Sequence, residues 1–329
     1  MKIALVICTY KRPEAVLELM KSVRGQVKYP DQILIVDGSE DEQTKRVFEE
    51  NEFENLTYFK VPEEDRGLTR QRNFGIVKTG KNIDIIAFLD DDIIIDANYF
   101  KELEVAYQTC PDALGVGGYI TNDVVWKKGG APNADYFEYG GYYRKEGSRF
   151  KLRSKFSLEP DRPPGFLPEF SHGRSISFLP PSGLLYEVEQ FMGGVASYKK
   201  SIFEEIQFSP YFKGYGLYED ADFTLRLAKK GKLYVHTAAT CTHHHDVSGR
   251  PDAYKYGKMV VRNGWYVWRV RWPNPSATAQ LKWHATSFLL TLIRYGNVIT
   301  TNKKAEALQE AWGRTVGWWS LLFSKPKVA

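Results

Sequence analysis

The chain has only three cysteines in 329 residues, Cys8, Cys110 and Cys241. Odd in number and far apart, they make neither a zinc-ligand pattern nor a disulfide framework, and a reducing, cytoplasmic setting is expected. Long hydrophobic runs are also missing. A membrane-spanning helix needs roughly 18 or more apolar residues, and the stretch Ser287 to Ile293 is already closed off by Arg294. The expectation is a protein that is not integral to a membrane. No secretory leader is expected either, because the apolar run Ile3 to Cys8 is short and passes at once into Thr9-Tyr10-Lys11-Arg12-Pro13. No recognisable nucleic-acid module accompanies the basic residues, so a nucleic-acid partner is not expected.

Acidic residues are scarce in one region. From Asp246 to Ala329 there are 13 Lys or Arg against 4 Asp or Glu, whereas the whole chain carries a formal charge of +5. Seven of the eight tryptophans fall in the same segment: Trp265, Trp268, Trp272, Trp283, Trp312, Trp318 and Trp319. Two readings stand side by side. Tryptophan with arginine suits a lipid headgroup interface, giving a peripheral membrane contact; alternatively, C-terminal helices pack aromatic faces inward. Gln280 to Tyr295 supports an amphipathic helix there, with Leu281, Ala285, Phe288, Leu289 and Leu292 on one stripe.

What is abundant in the first hundred residues is alternation. Buried strands are expected at Ile3 to Cys8, Ile33 to Val36, Leu56 to Val61 and Ile83 to Leu89, and helices at Glu14 to Val23 and Leu68 to Val77. Strands alternating with helices imply parallel pairing, with ligands beyond the carboxyl ends of the strands. Polar groups stand at three such ends: Thr9, then Asp37-Gly38-Ser39, then Asp90-Asp91-Asp92. The aspartate triplet is flanked by apolar runs on both sides. Unpaired carboxylates are costly so close to a sheet, and a cation that in turn holds phosphate would neutralise them; a solvated acidic turn is the plainer alternative. With Arg66, Arg70 and Arg72 nearby in sequence, the three ends can surround a nucleotide.

The ordered segments Val6 to Pro13, Ile35 to Ser39, Gly67 to Gly75 and Phe88 to Asp92 resemble the successive nucleotide-site motifs of family-2 glycosyltransferases, inverting enzymes of GT-A fold. Met192-Gly193-Gly194-Val195-Ala196 and Tyr218-Glu219-Asp220-Ala221-Asp222 continue the likeness, which covers most of residues 1 to 245. The resemblance implies roles. Thr9 and Asp37 would hold the nucleoside, Arg70 or Arg72 would orient base or diphosphate, and Asp90 and Asp91 would face the donor. Asp92, with Asp90, would bind Mn²⁺ or Mg²⁺, hard cations suited to oxygen ligands. Asp220 would be the catalytic base, with Glu219 positioning it or the acceptor, and Gly193 and Gly194 would lie at the acceptor. Of His243-His244-His245, His243 or His245 would supply a further metal ligand.

The fold class expected is α/β of GT-A type: a Rossmann-like, mostly parallel sheet flanked by helices, with a C-terminal helical extension. Residues 1–105 would form the nucleotide-sugar half, 106–245 the acceptor and catalytic half, and 246–329 the basic extension. The stretch Tyr107 to Gln190, rich in Gly, Tyr, Phe and Pro, is expected to supply acceptor loops. The function expected is metal-dependent, inverting transfer from a nucleotide-sugar, with UDP favoured, to a glycan or lipid-linked acceptor. A sugar nucleotidyltransferase and a non-catalytic sugar-nucleotide-binding protein are the alternatives.

Overall fold

A computed structural model describes residues 1–244 and 251–328. It divides into two compact units, Met1–Trp126 with Ile176–Gly249, and Lys127–Ser175 with Arg250–Ala329.

The first unit opens with β1 (Ile3–Thr9), α1 (Pro13–Arg24), β2 (Gln32–Asp37), α2 (Gln43–Glu50), β3 (Leu56–Lys60), α3 (Leu68–Lys78) and β4 (Ile85–Asp90). Ile3 to Ile7 are all fully buried. A continuous apolar run of this kind belongs to a central strand covered on both faces, and β1 accordingly pairs in parallel with β2 on one side and β4 on the other. Register sets Thr9 opposite Asp37 and Cys8 opposite Asp90, so the polar strand ends expected from the sequence stand side by side. Pro13 starts α1, whose Val16, Leu19, Met20 and Val23 are buried.

The unit continues with β5 (Ile93–Ile95) and α4 (Tyr99–Thr109), then β6 (Ala113–Ile120). After the second unit's insertion come β10 (Leu185–Val188), β11 (Val195–Lys199), α6 (Glu219–Leu227) and β12 (Lys232–His243). The main sheet runs β10-β12-β6-β11-β4-β1-β2-β3, with β5 pairing to β12. Strands β1 to β4 are parallel, and antiparallel β11 stitches them to β6. β12 is a mixed strand, antiparallel to β10 on one side and parallel to β6 on the other.

The second unit holds a small sheet of β7 (Lys127–Lys128), β8 (Tyr136–Tyr139) and β9 (Tyr142–Lys145), followed by α5 (Ser148–Lys155). Its C-terminal part is α7 (Ala253–Arg271), α8 (Ala277–Thr300) and α9 (Lys304–Phe323). Backbones of α7 and α9 approach closely because Gly257, Gly313 and Gly317 leave no side chain between them; a Cβ on Gly313 would collide with Tyr254 backbone atoms. Trp265, Trp268 and Trp283 form a core with Val261 and Leu321, and Trp268 stacks on Trp283 at 5.4 Å. Trp272 and Trp318 pack against that core, whereas Trp312 and Trp319 are exposed. Helices α8 and α9 are joined by Trp318 Nε1 donating to His284 Nδ1 at 3.1 Å and by Arg294 pairing with Glu310 at 2.8 Å. No helix among the described residues is long and apolar enough to cross a membrane.

Candidate active site

The sheet brings the first unit's polar strand ends to a single edge. Thr9 Oγ1 donates to Asp91 Oδ2 at 2.7 Å, and Arg12 Nη1 donates to Asp91 Oδ1 at 2.9 Å and lies 3.5 Å from Asp92 Oδ2. Asp92 Oδ1 is 3.2 Å from His243 Nε2. Antiparallel pairing of β5 with β12 sets Ile93 opposite His243, and this register carries the histidine to the triplet. Asp91 and Asp92 are buried. Burial pushes the Asp91 carboxyl up to about 6, against the opposing pull of Arg12 and the Thr9 hydrogen bond. The hydrogen bond to Asp92 raises His243 above its ordinary value.

Asp90 faces the other way. Its side chain is 44% accessible and its Oδ1 lies 3.3 Å from Arg72 Nη2. Arg72 itself is only 2% accessible, donates through Nη1 to Glu219, and lies over Phe88 and Phe208 at 5.5 and 5.3 Å. Burial works against the Arg72 charge, but Glu219 and Asp90 together outweigh it and hold the guanidinium above its usual range. Glu219 is pushed up to about 8 by burial, with Asp220 adding to the rise and Arg72 opposing it. Its Oε2 has no hydrogen-bond partner among the described residues.

Asp220 follows Glu219 at the start of α6. The chain enters that helix through Tyr218, whose φ of 70° lies in the left-handed region rare for side chains of this size. Both oxygens of Asp220 are oriented by backbone, Oδ1 by Ala221 N at 2.8 Å and Oδ2 by Gly193 N at 3.2 Å. Burial raises its pKa, with the two backbone donors opposing. The residue remains partly exposed.

Gly193 and Gly194 separate the two accessible carboxylates. Leu89 pairs with Val195, so Gly194 lies beside Asp90, and Asp90 N donates to Gly194 O at 3.0 Å. A Cβ on Gly193 would come within 2.6 Å of Arg72 Nη1 and 2.7 Å of Glu219 Oε1, and one on Gly194 would collide with the Asp90 carboxylate. Only glycine leaves room for both acids here.

Of the remaining expected site residues, Asp37 and Arg70 are engaged outside the carboxylate cluster. Asp37 is fully buried; Oδ1 accepts from Ser39 N and Oγ at 2.8 and 2.5 Å, and Oδ2 accepts from Tyr58 at 2.7 Å. Arg70 is exposed and donates to the Glu64 carbonyl at 2.6 Å. His244 N donates to the Asp92 carbonyl at 2.9 Å, while His245 lies outside the described residues. Arg12 is not singled out by the sequence, although it stands three residues after Thr9 at the same strand end. Burial pushes the Cys8 thiol up to about 12, which disfavours its thiolate.

The family model described as glycosyl transferase family 2 matches residues 4–176, more than half of the chain. The chain belongs to this family. Among curated proteins the chain is 31% identical over 132 residues to a glucosyl-dolichyl phosphate glucuronosyltransferase of Haloferax volcanii, covering 39% of this chain and 41% of that one. It is 31% identical over 120 residues to the O-antigen chain rhamnosyltransferase RfbN of Salmonella typhimurium, covering 36% and 37%. The chain thus spans about two fifths of the length of these relatives. Among solved structures, the mannosyltransferase PcManGT from Pyrobaculum calidifontis, in complex with GDP-Man and Mn²⁺, superposes with a TM-score of 0.54 at 13% identity, over 99% of this chain and 88% of that one. GalNAc-T7 with UDP, GalNAc and Mn²⁺ superposes with a TM-score of 0.53 at 15% identity, over 79% and 47%. The chain shares their GT-A fold.

Proposed function

We propose that this transferase moves a sugar from a nucleotide-sugar, with UDP the favoured nucleotide, to a hydroxyl of a glycan or lipid-linked acceptor by single displacement with inversion. The observation that carries the reading is the juxtaposition of two accessible carboxylates, Asp90 and Asp220, across the Gly193-Gly194 dipeptide. In-line displacement needs a leaving-group side and an attacking side, and a base must face the attacking oxygen. Asp220 takes the acceptor hydroxyl's proton as the new glycosidic bond forms and the bond to the diphosphate breaks. Its two backbone hydrogen bonds fix the carboxylate, and its raised pKa strengthens it as a base. Glu219 and Arg72 position Asp220 and Asp90, and the two glycines keep the acceptor's path clear. Thr9 and Asp37 shape the nucleoside side, Asp37 by holding the Gly38-Ser39 turn. Arg70, on the solvent side of α3, is left to meet diphosphate from outside the buried network.

A divalent cation fits the Asp92–His243 pair. The two ligand atoms, 3.2 Å apart, match neighbouring ligands on one small cation with bonds of about 2.1 Å. No trio of His, Cys, Asp or Glu among the described residues could hold a metal without help, which is consistent with Mg²⁺-type sites that rely on substrate phosphates and water for their remaining ligands. When bound, Mn²⁺ or Mg²⁺ would supply charge neutralisation to the departing nucleoside diphosphate. Arg12, already against Asp91 and Asp92, adds a fixed positive charge on the same side.

The test is incubation of the protein with a panel of nucleotide-sugars, Mn²⁺ and glycan or lipid-phosphate acceptors, following nucleoside diphosphate release and the anomeric configuration of the product. Consumption of a nucleoside triphosphate with pyrophosphate release would establish a nucleotidyltransferase instead. Donor binding without turnover for any acceptor would leave a binding protein.

A further inference from the structure

The apolar stripe of α8 points outward. Leu281, Phe288, Leu292 and Ile299, spaced for a single helix face, are exposed, Leu281 and Ile299 at 72% and 84%. The face turned inward carries Ala279, Trp283, Thr286 and Thr291. Ordinary amphipathic packing would put the leucines inside and the threonines outside, and here the arrangement is reversed.

Helix α9 repeats it. Its inner face is Ala307, Ala311, Gly313, Gly317 and Leu321, and its exposed stripe is Leu308, Trp312, Trp319 and Phe323. Contacts at His284 with Trp318 and at Tyr295 with Thr315 run the two helices antiparallel, and helical spacing turns the exposed stripe of α9 away from Gly313 and Gly317, which meet α7. Half of the exposed large hydrophobic side chains among the described residues, nine of eighteen, are on these two helices. Exposed apolar side chains gathered in this way on two adjacent helices mark an interaction site.

Charge identifies the occupant. Lys303 and Lys304 stand at the turn between α8 and α9, and Lys325 and Lys327 follow α9 at the opposite end, all exposed. From α8 onward the acidic residues are Glu306, which lies 3.5 Å from Lys303 and, two positions from Leu308, is turned off the stripe, and Glu310, which is engaged by Arg294 and Arg314. The surface is therefore apolar in the middle, indole-bearing, and cationic at both ends. An isologous pairing with a second copy would set like-charged ends close together, whereas an anionic bilayer complements every part. We infer that the outer face of α8–α9 seats the protein on an anionic lipid surface, with the helices lying flat, Trp312 and Trp319 at headgroup level and the four lysines against lipid phosphates. This deepens the lipid-linked-acceptor reading above, but its test needs no donor, acceptor or metal.

The full chain is floated with phosphatidylcholine vesicles containing about 30% phosphatidylglycerol, and with pure phosphatidylcholine vesicles. The wild type is expected to float with the anionic vesicles and much less with the neutral ones. The Phe288→Glu/Trp319→Glu double variant is expected to bind anionic vesicles about tenfold more weakly or worse. Replacing Lys303, Lys304, Lys325 and Lys327 with Gln should abolish the preference for anionic lipid. Because the altered side chains are exposed, thermal midpoints should stay at the wild-type value, and that measurement certifies folding. The inference is overturned if the wild type fails to float, if the folded double variant floats as well as the wild type, or if light scattering shows a wild-type dimer that the double variant converts to monomer.

Discussion

Glu219 should make the stability of this protein fall with rising pH. Its carboxyl is almost completely buried, and its pKa of about 8 in the folded chain compares with an ordinary value of 4.5. Between those values the folded state keeps a proton that the unfolded state has lost, so folding stability is full below the unfolded value and declines as pH rises toward the folded one. Each tenfold fall in proton concentration across that window is worth roughly 1.4 kcal/mol, so this residue alone withdraws about 3 kcal/mol between pH 5 and 7.5. Glu219→Gln preserves the shape and an oxygen that accepts from Arg72, but it cannot titrate. Unfolding midpoints of wild type and variant should therefore diverge across this range, with the variant gaining about 5 °C or more on the wild type by pH 7.5. Chemical denaturation or scanning calorimetry at a series of pH values measures the difference. Parallel pH profiles would refute the reasoning, and would mean that Arg72 fully offsets burial and keeps Glu219 ionised throughout.

Three further outcomes follow from the site. Asp220→Asn should lower sugar transfer by about 10²- to 10⁴-fold, the usual contribution of a positioned base, while nucleotide-sugar binding by calorimetry stays intact; undiminished turnover would remove Asp220 from the chemistry. Changing Asp92→Asn together with His243→Gln should raise the Mn²⁺ concentration needed for donor binding by about tenfold or more. Gly194→Ala should destabilise the fold by about 1–3 kcal/mol, because its methyl group collides with the Asp90 carboxylate. Turnover should fall as well, and melting curves with kinetic assays separate the two effects.

The half-sheet is legible in the sequence because its strands are continuous apolar runs. Ile3 to Cys8 and Ile33 to Val36 cannot be satisfied except between covered faces, and their ends then have to meet. β6 is hidden within a stretch whose glycines and aromatics read as loop, since Ala113-Leu114-Gly115-Val116-Gly117-Gly118 makes a weak strand signal. Its glycines are there for the rings of Tyr198, Phe191 and Tyr99, which occupy the space of their absent side chains. The aspartate ends are legible as positions but not as contacts. Nothing local distinguishes Arg70 from Arg72; the phenylalanines at 88 and 208, far apart in the chain, decide which one is buried. Nor does periodicity reveal which way a stripe faces. The spacing of Leu281, Phe288 and Leu292 predicts an amphipathic helix, and the glycine-mediated approach of α7 and α9 accompanies a packing in which the small faces are the inner ones.

The Gly193-Gly194 pair has a further consequence. In the proposed mechanism the gap between Asp90 and Asp220 separates the leaving-group side from the attacking side, and because the Gly193-Gly194 main chain walls it, its width is set by the fold rather than by any side chain. On that proposal, loops around it could be exchanged to admit different acceptors, and residues at the nucleoside end could change the donor, without altering the distance over which the sugar travels. Redesign of specificity should therefore leave this dipeptide untouched and treat it as the fixed gauge of the reaction.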